Sequence, residues 1–100
     1  MRRVMVRYRV TSERAAENEA LIAAVFEQLA RERPEGLRYA SYKLADGVTF
    51  VHLASIEHPD RNPLRELAAF RAFIAAIDDR CEDRPVSVDL TEIGSYGSDR

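Results

Sequence analysis

Two side chains that can hold or transfer a proton, Tyr39 and His52, lie in neighbouring strand-like segments of the chain. An imidazole titrates near neutrality and is the commonest general acid or base in enzymes. The phenol of Tyr39 can orient or protonate an oxygen atom of a ligand. We predict both as catalytic residues. The structural alternative is that His52 hydrogen-bonds to Ser41 or to a partner subunit, and that Tyr39 is an interfacial aromatic residue.

Two arginines, Arg7 and Arg9, share one parity of the first strand-like segment. A guanidinium group binds a carboxylate or an enolate-like oxygen through paired hydrogen bonds. We therefore predict Arg7 and Arg9 as ligand-binding residues, with Phe50 and Phe70 as apolar residues of the same site. The alternative is an ion pair with Asp89, which has the matching parity in the last predicted strand.

Composition excludes several classes of function. The 100 residues include 15 Lys and Arg against 17 Asp and Glu, so no positive field is present to bind a nucleic-acid backbone. The single cysteine, Cys81, and two separated histidines do not form a metal-ligand cluster, and we expect no metal. We find no signal sequence and no membrane-length apolar run, and expect a cytoplasmic protein with no membrane partner.

The spacing of apolar residues predicts one domain of residues 1–93 and a loosely held tail of residues 94–100. Strands are predicted over 3–10, 37–44, 48–56 and 86–90. The first predicted helix has about twenty residues from Glu13, and Thr11 or Ser12 caps it. The second runs from Asn62-Pro63 to Cys81 and can begin in two steps. This βαββαβ order is typical of the ferredoxin-like α+β fold, a four-stranded antiparallel sheet with two helices on one face.

The dipeptide Asp46-Gly47 predicts a type I′ turn between the two central strands. Such a turn fixes the strand register and divides the hairpin residues between two faces. We predict that the helices cover the pairs Leu44 with Thr49, Tyr42 with Val51, and Ala40 with Leu53. The open face then carries Lys43 with Phe50, Ser41 with His52, Tyr39 with Ala54, and Leu37 with Ile56.

The face predicted to be open is apolar, and it is larger than the patches that monomers usually expose. Leaving about 400 Å² of it in water forgoes roughly 10 kcal/mol of hydrophobic stabilisation. A second copy of the same sheet, related by a twofold axis, covers it most simply. We therefore predict a homodimer with a ligand chamber between the sheets.

Three segments carry a resemblance to a known family: Val6 to Val10 leading into a helix rich in Glu and Ala, Phe50 to Glu57, and Ala69 to Phe73. With the βαββαβ order, they resemble the antibiotic biosynthesis monooxygenase-like group of dimeric α+β barrel proteins over nearly the whole chain. The resemblance implies a dimeric barrel that holds an aromatic or otherwise apolar ligand between sheet and helices. That superfamily includes cofactor-independent quinol or anthrone oxygenases, haem-degrading enzymes and members with no assigned reaction.

The catalytic residues common in such oxygenases are an asparagine on the first strand, a tryptophan near the end of the third, and a histidine entering the second helix. This chain has no tryptophan, and its two asparagines are Asn18 and Asn62. Ile56 occupies the third-strand position, and Leu64 lies near the histidine position.

Three hypotheses follow. The first is a monooxygenase that needs no bound cofactor and acts on an apolar aromatic or polyketide-like molecule, with His52 as base and Arg7 or Arg9 stabilising negative charge. The second is a non-catalytic ligand-binding or accessory protein, which the missing tryptophan and first-strand asparagine favour. The third is an isomerase or cyclase that uses His52 as its base.

Overall fold

Four strands with alternating apolar residues form an antiparallel sheet in the order β2-β3-β1-β4. The computed structural model describes residues 1–97 and contains β1 (Arg2–Val10), β2 (Leu37–Lys43), β3 (Thr49–Ile56) and β4 (Cys81–Leu90). The helices are α1 (Ala15–Glu32), α2 (Ala68–Ala75) and the short α3 (Ile77–Arg80). Two 3₁₀ turns, Ser12–Arg14 and Pro63–Glu66, precede α1 and α2. The predicted ferredoxin-like α+β fold is thereby confirmed.

The core lies between one face of the sheet and the helices. It is built from buried residues of β1, β3, α1, α2 and the second 3₁₀ segment: Tyr8, Val10, Val25, Phe50, Leu64, Leu67 and Phe73. In β1 and β3 the even-numbered residues face this core, because Val6 lies opposite His52 and Tyr8 lies opposite Phe50. One sheet face is therefore covered within a single chain.

The predicted hairpin register is confirmed, but the predicted assignment of its faces is wrong. Lys43 pairs with Phe50 and Tyr39 pairs with Ala54, as expected. However, Phe50 and Ile56 are only 2% and 3% exposed, because the helices cover their face. The composition of the two hairpin faces does not distinguish them, whereas the pairing of β3 with β1 decides which face meets the helices. Once the helices cover Tyr8, its cross-strand neighbour Phe50 must be covered too.

The turn type and two element boundaries also differ from expectation. Of the two turn residues, only Gly47 has a positive φ, 79°, so the turn is not type I′. The second predicted helix divides at Ala76 (φ −131°, ψ 31°), and Cys81 begins β4 rather than ending a helix. Asn62 does cap its 3₁₀ turn, accepting a hydrogen bond from the Leu64 amide at 3.0 Å, whereas the Thr11 side chain makes no capping bond.

The open face of the sheet carries the odd-numbered residues of β1 and β3 and the even-numbered residues of β2 and β4. Several are large, apolar and exposed: Tyr42, Leu53, Val86, Val88 and Leu90. Residues 91–97 contain no helix or strand, and residues 98–100 of the predicted tail lie outside the described residues. Within residues 1–97 no helix is long and apolar enough to cross a membrane.

Candidate functional site

A cavity of about 250 Å³ lies between the covered face of the sheet and helices α2 and α3. Apolar residues from β1, β3, β4, the second 3₁₀ turn and both helices line it. They include Val4, Val6, Ala54, Ile56, Leu64, Phe70, Phe73, Ile74, Ile77 and Pro85. Three polar aromatic side chains, Tyr8, Tyr39 and His52, complete the sheet side. A small apolar pocket with a few convergent polar groups is the usual form of a ligand site.

His52 lies at the centre of an aromatic cluster on the sheet. Its ring stacks on Tyr8 and on Tyr39, with centroid distances of 5.4 and 5.8 Å. Nε2 lies 2.8 Å from the Tyr8 hydroxyl, and Nδ1 lies 2.7 Å from Ser41 Oγ and 2.9 Å from the Tyr39 hydroxyl. The Ser41 contact is the one expected under the structural alternative. Both ring nitrogens therefore have partners within the protein.

Burial controls the ionisation of these groups. It lowers the pKa of His52 to about 4, because the charged imidazolium loses its hydration. It raises the pKa of the Tyr39 phenol to about 12 and raises the pKa of Tyr8 further still. At neutral pH the imidazole is neutral and both phenols keep their protons, so each phenol has a proton to donate in a hydrogen bond.

Two further polar residues, Asn18 and Arg80, extend this network away from the cavity. Asn18 Nδ2 donates to the Tyr8 hydroxyl at 2.9 Å, and Arg80 Nε donates to Asn18 Oδ1 at 3.0 Å. Arg80 Nη2 also donates to the Phe73 carbonyl at 2.7 Å, and the guanidinium lies over the Phe73 ring. Both Asn18 and Arg80 are buried.

Tyr8, Asn18 and Arg80 were not predicted as site residues, although the sequence contains a signal for each. Tyr8 is the only hydroxyl in the apolar row of β1. Asn18 lies seven residues before Val25, and Arg80 lies seven residues after Phe73, so both interrupt the buried stripe of a helical segment. A buried polar residue in such a stripe needs a partner, which makes it a candidate for a network.

The structure brings together three of the six predicted site residues: Tyr39, His52 and Phe70. Phe50 does not line the cavity and is instead packed in the core, stacked on Tyr8 at 5.7 Å. The correction to the hairpin faces explains the difference, since Phe50 lies inside the monomer rather than on its open face.

Arg7 and Arg9 lie on the open face, as predicted, but His52 lies on the other side of the sheet. The expectation that these arginines share a site with His52 is therefore wrong. The predicted ion pair with Asp89 is also wrong, because Asp89 lies opposite Val4 and pairs with Arg2 at 3.0 Å. Arg9 instead pairs with Asp83 at 3.1 Å. The cationic residues that line the cavity are Arg2 and Arg65.

Solved structures share this fold over almost the whole chain. An antibiotic biosynthesis monooxygenase matches with a TM-score of 0.75 and 15% identity, covering 94% of this chain and 100% of its own. A variant of SnoaB, a cofactor-independent oxygenase from Streptomyces nogalater, matches with a TM-score of 0.68 and 16% identity, covering 96% of both chains. The chain has the fold of the antibiotic biosynthesis monooxygenases.

The antibiotic biosynthesis monooxygenase fold does not by itself assign a reaction. A protein of unknown function from Nitrosomonas europaea has the same fold, with a TM-score of 0.72, 13% identity and coverage of 95% of this chain and 91% of its own. No protein-family model and no curated protein matches the sequence. In this example of the monooxygenase fold, the cavity lies between sheet and helices, where the resemblance places a ligand.

Proposed function

We propose that the chain binds a small aromatic molecule carrying an oxygen atom and oxidises it with O₂ as a cofactor-independent monooxygenase. The observation that carries the proposal is the cavity between sheet and helices, which Tyr39 and His52 line together with apolar residues. The shared fold with oxygenases supports it.

The size of the cavity limits the ligand. An apolar protein cavity of about 150 Å³ holds one benzene molecule. The volume here, about 250 Å³, therefore suits a molecule of one or two rings. Larger polyketide-like molecules need the cavity to widen, so we propose a two-ring phenol or ketone as the preferred class.

The chemistry requires that the substrate supply the electrons. With 1-naphthol, loss of the phenolic proton makes the ring carbon opposite the oxygen electron-rich, and that carbon forms a bond to O₂. Cleavage of the resulting O–O bond places one oxygen atom in the product, 1,4-naphthoquinone, and releases the other as water. One naphthol and one O₂ thus give one quinone and one water.

The protein stabilises the anionic oxygen of the substrate in this scheme. The Tyr39 phenol keeps its proton and donates a hydrogen bond, while Arg65 supplies positive charge at the cavity. His52 has both nitrogens engaged, so it orients Tyr39 and does not act as the direct base. The phenolic proton passes to solvent.

We further propose that the active form is a homodimer joined through the open sheet face. The apolar residues exposed there include Leu53, Val86 and Val88. A second copy related by a twofold axis would cover this apolar face.

The activity test compares Tyr39→Phe with Tyr42→Phe, because Tyr42 is an exposed tyrosine on the opposite sheet face. O₂ uptake is followed with 1-naphthol and with anthrone as substrates. We expect turnover of 1-naphthol, a fall in kcat of about 100-fold in Tyr39→Phe from loss of one donor to the anion, and no change in Tyr42→Phe. Unchanged turnover in Tyr39→Phe, or no O₂ uptake with either substrate, contradicts the monooxygenase proposal.

The second candidate is a ligand-binding protein without catalysis. The engagement of both His52 nitrogens inside the protein favours it, because no other histidine of residues 1–97 lines the cavity to act as a free base. Saturable binding of 1-naphthol by calorimetry, without O₂ uptake, supports this candidate over the first.

A further inference from the structure

Arg80, Asn18, Tyr8 and His52 are connected by a series of hydrogen bonds, and in each of them the residue nearer Arg80 is the donor. A guanidinium only donates, so the Asn18 atom 3.0 Å from Arg80 Nε is the amide oxygen. The amide nitrogen of Asn18 must then face Tyr8, and it donates to the Tyr8 oxygen at 2.9 Å. The Tyr8 proton is left to donate to His52 Nε2 at 2.8 Å.

The tautomer of His52 follows from this direction. Because Nε2 accepts, the proton of the neutral imidazole is on Nδ1, which donates to Ser41 Oγ at 2.7 Å. Nδ1 also lies 2.9 Å from the Tyr39 hydroxyl, so the Ser41 and Tyr39 oxygens both face this N–H as acceptors. The proton of Tyr39 is therefore not held by His52 and is available to the cavity that Tyr39 lines.

We propose that Arg80 and Asn18 are positioning residues that orient this chain of hydrogen bonds, so that Tyr39 presents a donor to the cavity and selects ligands with an acceptor oxygen. The ligands of this class are ketones, quinones and phenolates. The part that concerns ligands rests on the proposed function, whereas the tautomer of His52 does not.

Arg80 is suited to setting the direction. It is 1% exposed and forms no salt bridge with any residue of the described part of the chain. A guanidinium has only donors and no acceptor, whereas an amide or a hydroxyl can turn to accept instead. One end of the network is thus fixed as a donor.

The substitution Asn18→Asp reverses the direction. A carboxylate only accepts, so it takes hydrogen bonds from both Arg80 and Tyr8. The Tyr8 oxygen then accepts from His52, which moves the imidazole proton to Nε2. Nδ1 becomes an acceptor for Ser41 and Tyr39, and the donor is withdrawn from the cavity. The buried cation of Arg80 compensates the introduced charge.

The first measurement is ¹⁵N NMR of the histidine rings in the ligand-free protein. The chain has only two histidines, and His58→Gln assigns the spectrum. We expect Nδ1–H for His52 in the wild type and Nε2–H in Asn18→Asp, while Arg80→Lys, which keeps a donor, retains Nδ1–H. Nε2–H in the wild type overturns the proposal whatever the variants do. An unchanged tautomer in a folded Asn18→Asp variant also overturns it.

The second measurement is binding of 1-tetralone and of tetralin, which have the same rings with and without a carbonyl oxygen. We expect the wild type to bind 1-tetralone about three- to tenfold more tightly, the effect of one hydrogen bond, and Asn18→Asp and Tyr39→Phe to lose the preference. Equal binding of both probes by the wild type overturns the selectivity. If neither probe binds, the proposed function fails while the NMR result stands.

Discussion

His52 is held as a neutral side chain by its surroundings. It is 4% exposed, and both neighbours that stack on its ring are tyrosines. Its hydrogen-bond partners within residues 1–97 are hydroxyl groups, which give a protonated ring little compensation for lost hydration. The low pKa is therefore a property of the folded state that unfolding removes.

The lowered pKa of His52 predicts that the free energy of unfolding depends on pH. The pKa of His52 is about 4 when folded and 6.5 when exposed, so the unfolded chain binds a proton first as the pH falls. The contribution of neutral His52 to the free energy of unfolding is complete above pH 6.5. It falls by up to about 3 kcal/mol as the pH is lowered from 6.5 to 4. Urea unfolding across this range should show the loss in wild type and in His58→Gln but not in His52→Gln. If the free energy of unfolding falls with pH equally in wild type and in His52→Gln, His52 is not the source of the loss.

The β2–β3 hairpin is closed by one side chain and one glycine. The Asp46 carboxylate accepts hydrogen bonds from the amides of Val48 and Thr49, both at 2.9 Å, and from the Thr49 hydroxyl at 2.6 Å. These three bonds lower the pKa of Asp46. Gly47 supplies the positive φ that lets the chain turn back. Together they fix the register that puts Tyr39, Ser41 and His52 beside one another.

Two glycine substitutions separate conformational strain from steric contact. A Cβ atom added at Gly47 or at Gly94 meets nothing within 4 Å, but only Gly47 has a φ in the left-handed region. We expect Gly47→Ala to lower the free energy of unfolding by about 1 kcal/mol and Gly94→Ala to leave it unchanged. Chemical denaturation measures both, and an equal effect of the two substitutions would show that the turn imposes no strain.

Over the whole molecule, the sheet separates a ligand site from a surface for association. The cavity lies on the covered face, and Val88, opposite Met5, lies on the other. Phe50 and Ile56, from which the sequence predicts a dimer, are buried within the chain. The proposal of a dimer now depends on the exposed residues of β4 and β3.

We expect the wild-type chain to sediment as a dimer and Val88→Asp to shift it towards monomer, because the substitution buries an unpaired charge at the proposed interface. The control is Ala23→Glu, at an exposed position of α1 away from the sheet. Analytical ultracentrifugation over a range of concentrations gives the answer. A wild-type monomer, or a Val88→Asp dimer as stable as that of wild type, would remove the open face as the interface.

The sequence predicted the fold and the hairpin register because both depend on local patterns: the period of apolar residues, and a turn dipeptide that aligns two strands. It did not predict which hairpin face meets the helices, because that depends on the long-range pairing of Tyr8 with Phe50. Tyr39 and His52 were identified as neighbours from the register. Asn18 and Arg80 join the site only through the packing of helices on the sheet, which no local pattern contains.

The absence of tryptophan has a practical consequence for the aromatic cluster around His52. The ultraviolet emission of this protein comes from four tyrosines alone: Tyr8 and Tyr39 at the cavity, and Tyr42 and Tyr96 on the surface. Replacing the two surface residues by phenylalanine leaves Tyr8 and Tyr39, which line the cavity, as the only tyrosine fluorophores. A change in tyrosine fluorescence then shows that a ligand occupies the cavity. Candidate ligands that do not absorb at the wavelengths of tyrosine excitation and emission can therefore be screened without a label.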